Sequence, residues 1–250
     1  MFELYRTALV TGATSGIGKA IVGMLRQKGL VVYAVGRNKD RLDSLSREYG
    51  SHTLCVDVRD TVQLRNLLTG IDVDILVNNA GILSTRALFQ ETNPAEIDAM
   101  IDINLKAPLH LTRMVLPKMM ERGHGHLIYI GSSAGRNPYP NMSVYGPSKA
   151  GISLFCDNLR CDLLGTNIRV SEIAPGRVQT RLYNGAIPET EVQALLYDDY
   201  RALQPENIAQ IVNDVIALPA HVDVTRIEVL PTDQIMGGTA MVKSRTIPDS

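Results

Sequence analysis

Tyr145 and Lys149 stand four residues apart at the head of a stretch with helical spacing. On a helix that puts both on one face, a turn apart. A phenol at its ordinary pKa of about 10 is a poor base near neutral pH. A neighbouring ammonium stabilises the phenolate and lowers that value, so the pair could exchange a proton with a substrate oxygen. Ser132, in Ile130-Gly131-Ser132-Ser133-Ala134-Gly135, falls at the end of an expected strand. Its hydroxyl could hold a carbonyl or an alcohol beside the tyrosine. A tyrosine and a lysine at this spacing also recur by accident on helix surfaces, so the surrounding chain has to decide.

Near the N-terminus an expected strand runs into Thr11-Gly12-Ala13-Thr14-Ser15-Gly16-Ile17-Gly18, which opens an expected helix. Glycines let the backbone turn sharply and approach a pyrophosphate. The helix start offers free N–H groups and a partial positive charge. The spacing is Gly-x3-Gly-x-Gly rather than the commoner Gly-x-Gly-x2-Gly. Its place after the first strand strengthens the reading. The positive ring of an oxidised nicotinamide would also acidify Tyr145. At the end of the second expected strand, Val35, Gly36 and Arg37 offer no acid to bind a ribose 2′-hydroxyl. Arg37, next to Asn38, could instead pair with a 2′-phosphate, which favours NADP(H) over NAD(H). The alternative is a solvated arginine after a strand.

The elements that must position these groups alternate along the chain. Short β-branched or apolar runs at 7–10, 30–35, 53–56, 74–77, 126–130, 167–173 and 225–230 predict seven strands. Helical spacing fills 16–28, 40–49, 59–68, 94–122, 144–165 and 205–218. Continuous apolar strands joined by helices imply a mostly parallel sheet covered on both faces. With right-handed crossovers this is an α/β, doubly wound Rossmann fold in one domain spanning 1–250. Residues 231–250 read as a polar tail on the surface or against a neighbouring subunit.

The bulk numbers narrow the function. A net charge of −1 gives no electrostatic case for nucleic acid or an acidic membrane. No apolar run approaches the roughly 20 residues that span a bilayer. The first residues, Met1-Phe2-Glu3-Leu4-Tyr5-Arg6, do not read as a signal peptide. The three cysteines lack metal-ligand spacing and read as reduced thiols, pointing to the cytosol. The five histidines show no metal pattern either.

The whole set of motifs resembles the short-chain dehydrogenase/reductase family over essentially the full chain. The phosphate turn matches at 11–18, and the family's Asn-Asn-Ala-Gly matches at Asn78, Asn79, Ala80 and Gly81. Its active-site asparagine falls at Asn104, and its serine, tyrosine and lysine at Ser132, Tyr145 and Lys149. Its Pro-Gly after the sixth strand is Pro175-Gly176, followed by Val178 and Thr180. The resemblance implies that Gly12, Thr14, Ser15, Gly16, Ile17 and Gly18 hold the cofactor's pyrophosphate. Asp57 and Val58 would then contact adenine, and Asn79, Ala80 and Gly81 would line the cleft. It implies further that Tyr145 exchanges the proton and that Lys149 binds the nicotinamide ribose. Ser132 would orient the substrate. Asn104 would hold a relay water, and Pro175, Gly176, Val178 and Thr180 would line the nicotinamide site. Residue 108 is a proline without an N–H, so a continuing helix would leave the Asn104 carbonyl free; the alternative is a simple kink.

Within the family, segments such as Asn158-Leu159-Arg160 and Leu218-Pro219-Ala220-His221-Val222 are most similar to bacterial NADP-dependent 3-hydroxy acid dehydrogenases. The Pro-Thr-Asp-Gln at 231–234 also resembles clavulanate-type aldehyde reductases. The stretch 179–200, read as a substrate lid, does not match clearly. Arg136 and Arg181 are candidates to bind a substrate carboxylate, or else surface charges. A broad reductase of apolar ketones and a non-catalytic NADP(H) sensor remain the competing readings. The resemblance also implies a homo-oligomer, a dimer or tetramer, formed through the two long helices.

Overall fold

The computed structural model describes residues 4–198 and 201–237. Asp199, Tyr200 and most of the stretch read as a tail lie outside the described residues. Seven strands form one sheet: β1 (Thr7–Thr11), β2 (Val31–Gly36), β3 (His52–Cys55), β4 (Ile75–Asn78), β5 (Gly125–Ile130), β6 (Ile168–Pro175) and β7 (Arg226–Val229). Their spatial order is β3-β2-β1-β4-β5-β6-β7, and every neighbouring pair is parallel. The expected seven-stranded doubly wound sheet is therefore the architecture observed.

Side chains alternate between the two faces, as the pleat requires. Ala8, Val10, Ile75, Val77, Ile128 and Ile130 meet α1 (Gly16–Gln27), α2 (Lys39–Tyr49) and α8 (Pro205–Ala217) on one face. Leu9, Leu76, Leu127 and Tyr129 meet α3 (Thr61–Leu67), α5 (Ala107–Arg122) and α6 (Tyr145–Asp162) on the other. Burial on both faces explains why the strands read as continuous apolar runs. No helix among the described residues is long and apolar enough to cross a membrane.

The helix expected over 94–122 is interrupted. α4 (Pro94–Ile101) leads into a π turn, Asp102–Lys106, before α5 begins. The Ala107 N–H donates to the Asp102 carbonyl, five residues back. Pro108 lacks the N–H that either an α bond to Asn104 or a π bond to Ile103 would need. The ladder steps out of register where the proline has already removed a donor, and such bulges occur often at functional sites.

The described part of the stretch read as a lid, 179–198, holds two elements that the sequence reading did not separate, a 3₁₀ turn Arg181–Gly185 and α7 (Glu189–Leu196). Ile187, Val192, Leu196 and Tyr197 make a small core there with Ala202 just beyond. The chain reverses sheet direction between β1 and β4, and such a switch opens a crevice beyond the strand ends.

Candidate active site

That crevice holds a cleft of about 380 Å³. The end of β5 delivers Ser132 to it, and the start of α6 delivers Tyr145 and Lys149. The Lys149 ammonium sits 5.9 Å from the centre of the Tyr145 ring. It is held there by the Ile130 carbonyl, to which Nζ donates at 2.9 Å. Burial lowers the Lys149 pKa to about 8, while the Glu172 carboxylate works in the opposite direction. Burial raises the Tyr145 phenol above its ordinary value; the neighbouring Tyr183 adds to this and the Ser132 hydroxyl opposes it. In the protein alone the phenol is therefore protonated at neutral pH. Desolvation, rather than the acidification expected from the lysine, sets the direction.

Glu172, on β6, is part of a buried polar cluster behind Lys149. Its Oε2 accepts from the Ser153 hydroxyl at 2.8 Å and pairs with Arg226. Arg226 also reaches Glu228, which accepts from the Asn137 amide at 3.0 Å. The cluster thus joins α6, β6, β7 and the turn after Ser132. Gly131 leaves room for it: a Cβ there would lie 2.2 Å from Glu172 Oε1.

Asn104, 1% exposed, sits behind the cleft in the π turn. Its amide brackets Ile82, accepting from that residue's N–H at 2.8 Å and donating to its carbonyl at 2.9 Å. It also donates to Ser148 Oγ, which in turn donates to the Tyr145 carbonyl. One amide therefore ties the loop after β4 to the helix bearing the tyrosine and lysine. Gly81 fits between them, where a Cβ would lie 3.4 Å from Asn104 Oδ1 and 3.5 Å from Lys149 Nζ.

At the other end of the cleft, α1 begins without a side-chain cap, so its first N–H groups have no such partner. Thr11 Oγ1 accepts from the N–H groups of Asn79 and Ala80, both at 3.0 Å. The Asn79 amide donates to the carbonyls of Thr11 and Gly12. The phosphate turn and the loop after β4 are thus locked together. Gly18 supports this from behind rather than lining the cleft: a Cβ there would sit 2.3 Å from the Gly12 carbonyl oxygen.

Arg37 lines the far end, 3.6 Å from Asp57. Asp57 bonds chiefly to the Arg59 guanidinium, and that contact lowers its pKa to about 2. Arg41, on the first turn of α2, lines the same end and carries no motif that would have marked it. Asn38 is absent from the lining, since its carboxamide is used to cap α2 by accepting from the Arg41 N–H at 2.9 Å.

Most of the residues singled out in the sequence meet in this one cleft. Thr14, Ser15, Gly16 and Ile17 lie along the phosphate turn, and Val58, Asn79, Ala80 and Gly81 follow beside it. Pro175, Gly176, Val178 and Thr180 close it from β6 onward. Arg136 does not join them. The short turn after Ser132 swings it outward, where Nε donates to Ser153 and Nη2 lies 3.5 Å from Asp157. Arg181 does line the cleft, but it also borders a groove with Thr14, Ser15 and Gly16, which puts it over the phosphate turn.

Besides Arg41, the lining residues missed include Gln234, Tyr183 and Arg86. Gln234 comes from the stretch read as a tail, accepting from the Arg177 N–H at 2.7 Å. Tyr183, in the 3₁₀ turn, packs beside Tyr145. Arg86 lies in the loop beyond Gly81.

The family model described as short chain dehydrogenase matches residues 6–191. The chain belongs to the short-chain dehydrogenase/reductase family, as its motifs implied. It is 48% identical over 239 residues to an uncharacterised short-chain type dehydrogenase/reductase of Sinorhizobium fredii, covering 96% of each chain. It is 39% identical to the NADP-dependent 3-hydroxy acid dehydrogenase of Escherichia coli, covering 92% of this chain and 96% of that one. Among solved structures, the closed form of serine dehydrogenase complexed with NADP+ superposes with a TM-score of 0.90 at 38% identity. That match covers 95% of this chain and 100% of the other.

Proposed function

We propose that this protein is an NADP(H)-dependent oxidoreductase that interconverts a small 3-hydroxy acid and the corresponding carbonyl compound. One observation carries the reading: Ser132, Tyr145 and Lys149 open onto the same cleft as the uncapped start of α1. The names of the Escherichia coli relative and of the serine dehydrogenase support the cofactor and substrate class.

The residues present fit a phosphorylated dinucleotide. Free N–H groups at α1 suit its pyrophosphate, and Arg37 with Arg41 suits a 2′-phosphate. The cofactor supplies or accepts the hydride when bound. Ser132 orients the substrate oxygen towards Tyr145, whose phenol donates the proton in the reducing direction and accepts it in the oxidising one. Lys149 positions the nicotinamide ribose and offsets negative charge on the phenol oxygen. Asn104 fixes the loop after β4, and its backbone carbonyl beside the Pro108 gap serves a relay water. The 179–200 segment works as a lid over the substrate end of the single domain.

We also infer that the protein works in the cytosol as a homo-oligomer through its long helices. Met120 on α5 and Leu154 on α6 are large apolar side chains left exposed, 47% and 64% respectively. The test is a substrate panel followed at the NADPH absorbance, with Tyr145→Phe as control. Turnover of 3-hydroxy acids that vanishes in the variant is expected. Tight NADPH binding without turnover of any alcohol or carbonyl would overturn the enzyme reading.

A further inference from the structure

Charge is distributed unevenly around the cleft. The acid lining it among the described residues is Asp57, at the adenosine end, where Arg59 and Arg37 already pair with it. The cations there are spoken for by position. Arg37 and Arg41 border the second strand end, Arg181 overhangs the phosphate turn, Arg177 donates to the Leu196 carbonyl and Lys149 to that of Ile130. Arg86 is different. Its Nε is buried and has no hydrogen-bond partner, and no ion pair forms to its guanidinium among the described residues. A buried guanidinium N–H without an acceptor is costly to keep and calls for one.

The loop that carries Arg86 is fixed beside the chemistry. Asn104 clamps Ile82 from below, and Leu83 is buried against Tyr145, with Leu182 and Tyr183 in the same cluster. The 3₁₀ turn presses on the loop from above: a Cβ at Gly185 would lie 3.2 Å from the Leu83 carbonyl oxygen. Thr85 Oγ1 accepts from the Ala87 N–H at 3.1 Å and shapes the bend that contains Arg86. The arginine therefore faces the substrate end of the cleft from a wall braced on both sides.

We propose that Arg86 is the anion-recognition residue of the substrate pocket, and that the substrate carries a compact oxyanion, a carboxylate or a sulfonate, on a short chain from the reacting carbon. This rests on the oxidoreductase reading above and gives it a specificity-determining residue. A guanidinium meets either group through paired N–H donors. The orphaned Nε is one such donor, on a residue that lines the same cleft as Tyr145.

The test uses dead-end complexes, which form without turnover. The NADPH-loaded protein is titrated with 3-hydroxypropionate, its neutral methyl ester and hydroxyethanesulfonate, following NADPH fluorescence. The same is done for Arg86→Met and Arg86→Lys. Arg86→Met should lower the ratio of acid to ester affinity about 10- to 100-fold, the range of a charge-assisted hydrogen bond. Arg86→Lys should recover part of it. The better-bound of the two anions in the wild type names the oxyanion. NADPH titration of each variant reports whether the cleft still forms. An unchanged acid-to-ester ratio in Arg86→Met, or no binding of either anion by the wild type, overturns the assignment. The two readings fail separately. Arg86-dependent anion binding without hydride transfer sinks the hydroxy-acid reaction but keeps the subsite. Normal turnover of hydroxy acids by Arg86→Met does the reverse.

Discussion

Lys149 donates to the carbonyl of Ile130 at 2.9 Å, and Ile130 is the last residue of the strand that leads to Ser132. The helix bearing the acid and the strand end bearing the substrate anchor are thus joined by the ammonium itself. Loss of the Tyr145 hydroxyl should remove the proton path while leaving this joint intact. Tyr145→Phe is expected to lower kcat by about 10²- to 10⁴-fold, the usual worth of a positioned acid/base. Steady-state rates beside NADPH titrations would show it.

Cofactor choice should depend on Arg37. Arg37→Asp places a second carboxylate beside Asp57 and removes a partner for a 2′-phosphate. The preference for NADP over NAD is expected to fall about 10- to 100-fold in kcat/KM. An unchanged ratio would transfer the role to Arg41.

The cluster behind Lys149 gives a stability test. Glu172 and Arg226 are both largely buried and paired. Glu172→Gln leaves Arg226 with Glu228 as its remaining carboxylate and should cost about 1–3 kcal/mol, read from urea unfolding. The carboxylate also supports the charge on Lys149, so the variant should lower the lysine's pKa further below about 8. Carbon-13 lysine NMR titration of the protein without cofactor would measure that.

His126 predicts how stability varies with acid. It is fully buried on β5, 2.8 Å from Ser171 Oγ. Burial, then the Arg169 charge, holds its pKa well below 6.5. The unfolded chain takes up a proton below its ordinary pKa while the folded chain does not. Its contribution is therefore complete above pH 6.5 and is lost as pH falls, by up to about 1.4 kcal/mol per pH unit. His126→Asn should flatten that part of a Tm-against-pH curve. Equal slopes in both proteins would assign the acid sensitivity elsewhere.

Local signals made much of this legible. The glycine spacing at 12–18, the apolar strands and the four-residue step from Tyr145 to Lys149 are all set by neighbouring residues. What escaped depends on distant contacts. Gln234 matters because it meets Arg177, 57 positions away. Arg86 lies in a loop with no motif, and contacts of its neighbours with Asn104 and with the cluster around Tyr145 place it at the cleft. Arg136 was legible only as a choice between a clamp and a surface charge. Its place after a strand end suggested a clamp, but the turn presents it to Asp157. The π turn left a trace only in Pro108, since a change of helical register is a property of backbone bonding rather than of residue type.

The hydrogen bond from Arg177 to Gln234 has a consequence for biosynthesis. Gln234 follows every strand of the sheet, so all seven strands are synthesised before the residue that completes one wall of the cleft. A product of premature termination just past β7 would carry all seven strands and lack that part of the wall.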